Sequence, residues 1–109
     1  MKYTITGATG HLGRKVVEQM SRLVDVREIR LAVHTPSKAQ NFLDQGYEVV
    51  KSDYYDVQSM TKAFADTDVL IYIPSITYDV ANRVLEFENS LKATQKAGVK
   101  NLVDVSLDR

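Results

Sequence analysis

The chain has 109 residues, 44% hydrophobic and 26% charged, which is enough apolar material for the core of one globular domain. Fourteen Lys and Arg balance fourteen Asp and Glu, so no net field exists to hold nucleic acid or an anionic membrane surface. The chain has no cysteine, which excludes a disulfide framework and a thiolate metal site, and its two isolated histidines do not build a zinc site unaided.

In chain order, Lys2-Tyr3-Thr4-Ile5-Thr6 reads as a strand that follows Met1 directly, without the pattern of a secretory signal. With no apolar run near membrane-spanning length, the expected compartment is the cytoplasm. The strand runs into Gly7-Ala8-Thr9-Gly10-His11-Leu12-Gly13, a glycine turn opening a helix. That helix carries Leu12, Val16, Val17, Met20, Leu23 and Val24 at helical spacing and leaves Arg14, Lys15, Glu18 and Arg22 for water. A helix start with unpaired N–H groups, approached across residues lacking Cβ, suits the pyrophosphate of a dinucleotide. Gly7 is expected to make the tight turn, Gly10 to admit phosphate close to the backbone, and Gly13 to bring helix and strand together. Thr9, His11 and Leu12 belong to the same expected contact stretch.

Residues 29–33 form the second expected strand. A helix follows, from Thr35-Pro36, an N-cap with proline at the first helical position, to Gly46. The third strand is 47–51; Asp56 caps the third helix, which turns Met60, Ala63 and Phe64 inward; 69–73, nearly all apolar, is a central strand. A longer helix spans about 79–97 with Val84, Leu85 and Leu91 on its inner face, ends at Gly98 as a left-handed cap, and leads to a strand over 101–105. Alternating strands and helices with short connections indicate an α/β domain with five parallel strands.

The segments Thr6–Gly13, Asp53-Tyr54-Tyr55-Asp56, Ile73-Pro74-Ser75 and Ala97-Gly98-Val99-Lys100 together resemble the NmrA-like branch of the atypical short-chain dehydrogenase/reductases, especially its NADPH-dependent quinone oxidoreductase members. The resemblance covers the whole chain. It implies a Rossmann-type, doubly wound parallel sheet of strand order 3-2-1-4-5, helices on both faces, and a dinucleotide across the carboxyl ends of the strands where the order reverses. The same opening occurs in sugar-nucleotide epimerases and in regulators that bind the dinucleotide without turnover, so both stand beside an oxidoreductase reducing a small quinone or carbonyl acceptor. Members of this branch continue through further strands and a substrate region, so residues 1–109 are expected to be the cofactor-binding part of a longer protein. Val103 and Val105, expected on an open strand edge, agree with that.

A carboxylate about 20 residues past the glycine turn would accept the ribose 2′-hydroxyl of NAD. None stands there: the second strand ends Ala32-Val33-His34-Thr35, and Glu28 precedes it. By resemblance His34 occupies the place of an arginine that serves the 2′-phosphate of NADP, with Lys38 nearby, although His34 also reads as a solvated loop residue. NADP(H) is therefore expected over NAD(H). Also by resemblance, Asp53 accepts from the adenine amino group while Tyr54 lies along the ring, and Ile73, Pro74 and Ser75 pass the nicotinamide-side ribose and pyrophosphate. A plain strand-to-loop transition is the alternative for the last three.

Tyr47-Glu48-Val49-Val50-Lys51 spells the YxxxK of short-chain dehydrogenases but lies on a strand, so it is not read as catalytic. Ser106 stands where the wider superfamily holds a substrate-orienting serine, yet without a tyrosine partner it performs no general acid catalysis. Glu86, Glu88, Lys92, Lys96 and Lys100 read as a solvated helix face, and Asn89 as an ordinary surface residue. No metal site is expected.

Overall fold

The computed structural model describes residues 1–75 and 79–105. Strands β1 (Tyr3–Thr6), β2 (Ile29–Val33), β3 (Glu48–Lys51), β4 (Val69–Tyr72) and β5 (Asn101–Asp104) form one parallel sheet ordered β3-β2-β1-β4-β5. Helices α1 (His11–Ser21), α2 (Gln40–Asp44), α3 (Val57–Ala63) and α4 (Val80–Ala97) connect them. Because side chains alternate along each strand, Ile5, Leu31 and Ile71 pack with Val17, Phe42 and Tyr47 on one face, while Ala32 and Leu70 pack with Met60, Phe64 and Ala93 on the other. The first cluster seats α1 and α2, the second α3 and α4. The expected doubly wound fold is therefore the observed one. Thr6 pairs with Ala32 and Ile5 with Ile71, which brings the carboxyl ends of β1, β2 and β4 to one edge, with the order reversing between β1 and β4. No helix among the described residues is long and apolar enough to cross a membrane.

The punctuation read from sequence acts as expected. Asp56 accepts from the N–H groups of Gln58 and Ser59 at 3.0 and 3.2 Å, and Gly98 ends α4 at φ +74°; α4 also gains a cap not expected from the sequence, Asp79 accepting from Ala81 N–H at 3.0 Å.

Four local expectations are corrected. The helix read over 35–46 divides into a 3-10 turn, Pro36–Ala39, followed by α2. Pro36 has no N–H and Thr35 makes no side-chain cap, so the entry closes in the tighter pattern, Lys38 N–H to the Thr35 carbonyl at 3.0 Å. The first helix stops at Ser21, and a tight turn in which Leu23 N–H donates to Met20 O at 2.9 Å swings Leu23 into water at 77% exposure. On α4, Val84 and Leu85 are exposed, and Glu86, Ser90, Ala93 and Thr94 are buried instead. Finally, Val103 is exposed as expected, but Val105 donates its N–H to Tyr72 O at 2.9 Å and packs against the α1 side of the core.

A charged residue also lies inside the sheet. Arg30 on β2 donates to the carbonyls of Ala63 and Ala65 at the C-terminal end of α3, and its Nε lies 3.1 Å from a Glu48 carboxylate oxygen. Carbonyls left without intrahelical partners concentrate negative potential at a helix end, which is why a guanidinium settles there.

Candidate functional site

The glycine turn is built by steric exclusion. Gly7 adopts φ +64°, a conformation that strains any residue with a Cβ, and a Cβ there would also lie 3.1 Å from the Ile73 carbonyl oxygen. The Gly10 N–H donates to Gly7 O at 3.1 Å and closes the turn. Gly10 itself is extended, φ −76° and ψ 171°, and caps α1 with backbone alone. Among the described residues no side chain caps α1, and no acidic residue stands in its first turn, so the helix's own residues leave its positive end uncompensated. A Cβ on Gly13 would fall 1.9 Å from Gly7 O and 2.8 Å from Ala8 Cα. Gly13 thus seats the helix on the turn itself, where contact with the strand was expected.

Thr9 and Leu12 are half-buried, Leu12 against the core, and His11 is exposed. Arg14, read as a solvated residue, braces the turn: its Nε donates to Thr9 O at 3.1 Å while its guanidinium carbon lies 5.5 Å from the centre of the Phe42 ring. Hydropathy patterning carries no signal for such a brace.

Beneath the turn, Thr6, Tyr54 and Ile73 lock together. Thr6 Oγ1 donates to Ile73 O at 3.0 Å and accepts from Ile73 N–H at 2.7 Å, and the Tyr54 hydroxyl donates to the same carbonyl at 2.5 Å. The Ile73 backbone is thereby used inside the fold, leaving its polar groups no share in contacting a ligand. Tyr54 sets its ring edge-on to Tyr72, with centroids 6.0 Å apart, and its hydroxyl meets the position a Gly7 Cβ would take. It is a strut under the glycine turn, a different post from the expected plate along an adenine ring. Burial pushes its phenol well above the ordinary tyrosine range, so it remains a donor. A hydroxyl desolvated at this depth requires an acceptor, and the strand-end carbonyl supplies one.

Asp53 is half-buried and its Oδ1 accepts from Tyr55 N–H at 2.9 Å, a turn that leads into the Asp56 cap. His34 is exposed, with Nδ1 3.2 Å from Thr35 Oγ1. Lys38 is exposed and forms no ion pair among the described residues. Glu28 stands at the opposite end of β2, 3.3 Å from the chain's amino terminus. The corner beyond β2 is thus free of carboxylates on β2 itself. Pro74 lies beside Tyr72, Val84 and Phe87 in a groove of about 300 Å³ between α4 and β5.

The helix face read as solvated contains the largest departure. Glu86 is 2% exposed and accepts hydrogen bonds from Ser75 and Tyr55, and Asn89 Nδ2 donates to Tyr54 O at 3.0 Å. Alternation of charge on α4 masks this, because the partners come from loops 11 to 35 residues away. Tyr47, just before β3, is buried edge-on to Phe42 and Lys51 ends β3, so the YxxxK pair is on no helix, and the strand expected over 47–51 begins one residue later. Ser106 lies outside the described residues. No group of three or more His, Cys, Asp or Glu able to hold a metal occurs among the described residues.

Comparison with known proteins places the site in context. Residues 7–107 match the model of a family described as NAD(P)H-binding. Quinone oxidoreductase 2 of Escherichia coli is 37% identical over 103 residues, which cover 94% of this chain and 35% of that protein. An NmrA-like family domain-containing oxidoreductase of Aspergillus flavus is 28% identical over 98% of this chain and 36% of its own length. Among solved structures, the Citrobacter triphenylmethane reductase complexed with NADP(H) superposes with a TM-score of 0.92 at 35% identity, over 95% of this chain and 36% of that one. The chain spans about a third of the length of these relatives.

Proposed function

The chain belongs to the NAD(P)H-binding family, and from that premise we propose that it is the cofactor-binding part of an NADP(H)-dependent oxidoreductase that reduces a small quinone or carbonyl acceptor. The observation that carries the cofactor choice is the corner past β2: no carboxylate on β2 to hold a 2′-hydroxyl or repel a 2′-phosphate, His34 exposed, and Lys38 exposed with no ion pair among the described residues. The quinone acceptor rests on the likeness to quinone oxidoreductase 2.

The residues fit the dinucleotide. Its pyrophosphate would be held by Gly7, Thr9, Gly10 and the first turn of α1 at His11, Leu12 and Gly13, where backbone N–H groups and the helix dipole favour an anion. Asp53 takes the adenine amino group as an acceptor-only carboxylate. Lys38 and His34 take the 2′-phosphate. Pro74 and Ser75 offer the nicotinamide side its surface, and Ile73 and Tyr54 support the turn from below. The bound cofactor supplies the hydride; the domain supplies position and electrostatics. The acceptor pocket is formed by residues beyond these 109, in a longer protein that works in the cytoplasm.

Full-length protein is expected to oxidise NADPH when a small quinone is added, and binding of NADPH with no turnover for any quinone or aldehyde tried would replace the reductase by a sensor. NADPH should bind about tenfold more tightly than NADH at low ionic strength, a difference of about 1.4 kcal/mol. Lys38→Ala should reduce that preference, as should added salt, because an exposed phosphate contact is screened. Equal dissociation constants for the two cofactors in parent and variant would show that the corner is merely solvated.

A further inference from the structure

Glu86 sits nearly two turns into α4, 2% exposed, with no cation paired to it among the described residues. Each of its carboxylate oxygens is taken by a hydroxyl from a different loop: Ser75 Oγ donates to Oε1 at 2.6 Å, and the Tyr55 hydroxyl donates to Oε2 at 2.8 Å. One turn further along, Asn89 holds the Tyr54 carbonyl at 3.0 Å. The two loops leave the carboxyl ends of β3 and β4, which are not neighbours in the sheet, since β2 and β1 lie between them. No ladder hydrogen bond can set their spacing; the Tyr54–Ile73 bond ties them next to the glycine turn, and α4 ties them a second time through Glu86.

A carboxylate is suited to this post. It only accepts, it serves two hydroxyl donors at once, and bonds to it are shorter and stronger than neutral ones. A position that needed only packing would be filled by an apolar side chain without the cost of desolvating a charge. We propose that Glu86 is a positioning residue that clasps the β3–α3 and β4–α4 loops together and so sets the spacing of the adenine-side and nicotinamide-side walls of the crevice. This role rests on the reading of those loops as cofactor-facing.

The test combines amide hydrogen exchange of the cofactor-free, full-length protein with NADPH titration. Glu86→Ala should raise exchange at 53–56 and at Ser75 while leaving β1 and β2 protected, and should weaken NADPH binding about tenfold. Glu86→Gln, which keeps one acceptor, should recover part of both effects. Tyr55→Phe should weaken NADPH binding severalfold in the parent and have no further effect in Glu86→Ala, and Ser75→Ala, whose hydroxyl also lies on the nicotinamide side, should raise loop exchange in the parent and not further in Glu86→Ala. Full hydroxyl effects in the Glu86→Ala background, or unchanged exchange with intact NADPH binding, would overturn the clasp. The single-hydroxyl variants remove no buried packing, so if Glu86→Ala does not fold, unchanged loop exchange in both of them together with unchanged affinity in Tyr55→Phe overturns it as well. Failure of the parent to bind NADPH would overturn the cofactor reading and with it the crevice role, while the exchange result still decides whether the loops are clasped.

Discussion

Gly13→Ala is expected to destabilise the folded domain by about 3 kcal/mol or more, the upper range for overpacking a site that cannot yield. The added Cβ would lie 1.9 Å from Gly7 O and 2.7 Å from Gly7 C, and both atoms belong to backbone. Neither can rotate away. Gly7 is held at φ +64° with Ile73 and Tyr54 pressed beneath it, so the turn cannot retreat, and α1 would have to lift from the core formed with Val17 and Ile5. For a chain of this size each kcal/mol moves the melting temperature by about 4–8 °C, so the midpoint should fall by about 12 °C or more. A variant melting within about 3 °C of the parent would show that the helix and turn are not locked in this way.

Gly10→Val should do the opposite, leaving the fold and removing the ligand. Gly10 has φ −76° and ψ 171°, which any residue adopts, and a Cβ there meets only Gly7 O at 3.5 Å, an ordinary contact. Losing glycine at the N-cap of α1 should cost about 1 kcal/mol or less. The new side chain, however, stands over the turn where the pyrophosphate approaches the backbone, and NADPH affinity should fall about a hundredfold or more, equivalent to about 2.7 kcal/mol. Calorimetric titration of parent and variant, each first checked for its thermal midpoint, reads both quantities. Undiminished NADPH binding by folded Gly10→Val would remove the glycine turn from the site. The two glycines, three residues apart in one motif, thus separate stability from binding.

The motif's spacing already assigned Gly10 to the phosphate and Gly13 to helix packing, whereas the contact that Gly13 guards, with the turn backbone rather than the strand, came only with the structure. What the sequence determined is whatever depends on residues close along the chain. Alternation of apolar strands with amphipathic helices set the element order, Asp56 and Gly98 marked helix ends through bonds spanning a few residues, and Gly7 announced a tight turn. The five parallel strands follow from such local signals, while the reversal between β1 and β4 was implied by the family resemblance and is the order observed.

Only the tertiary structure decided the fate of polar side chains. Whether a Glu, Tyr or Arg is solvated or buried turns on partners distant in sequence: Ser75 and Tyr55 for Glu86, Ile73 for Tyr54, the end of α3 for Arg30. Periodicity on α4 pointed to Val84 and Leu85 as the inner face, yet the loop ends beside that helix carry hydroxyls and carbonyls, and these drew Glu86 and Asn89 inward. Burial of apolar area is additive and nondirectional, so its pattern survives in one dimension. Satisfaction of a buried hydrogen-bonding group is directional and pairwise, and its partner is known only when the chain has closed on itself.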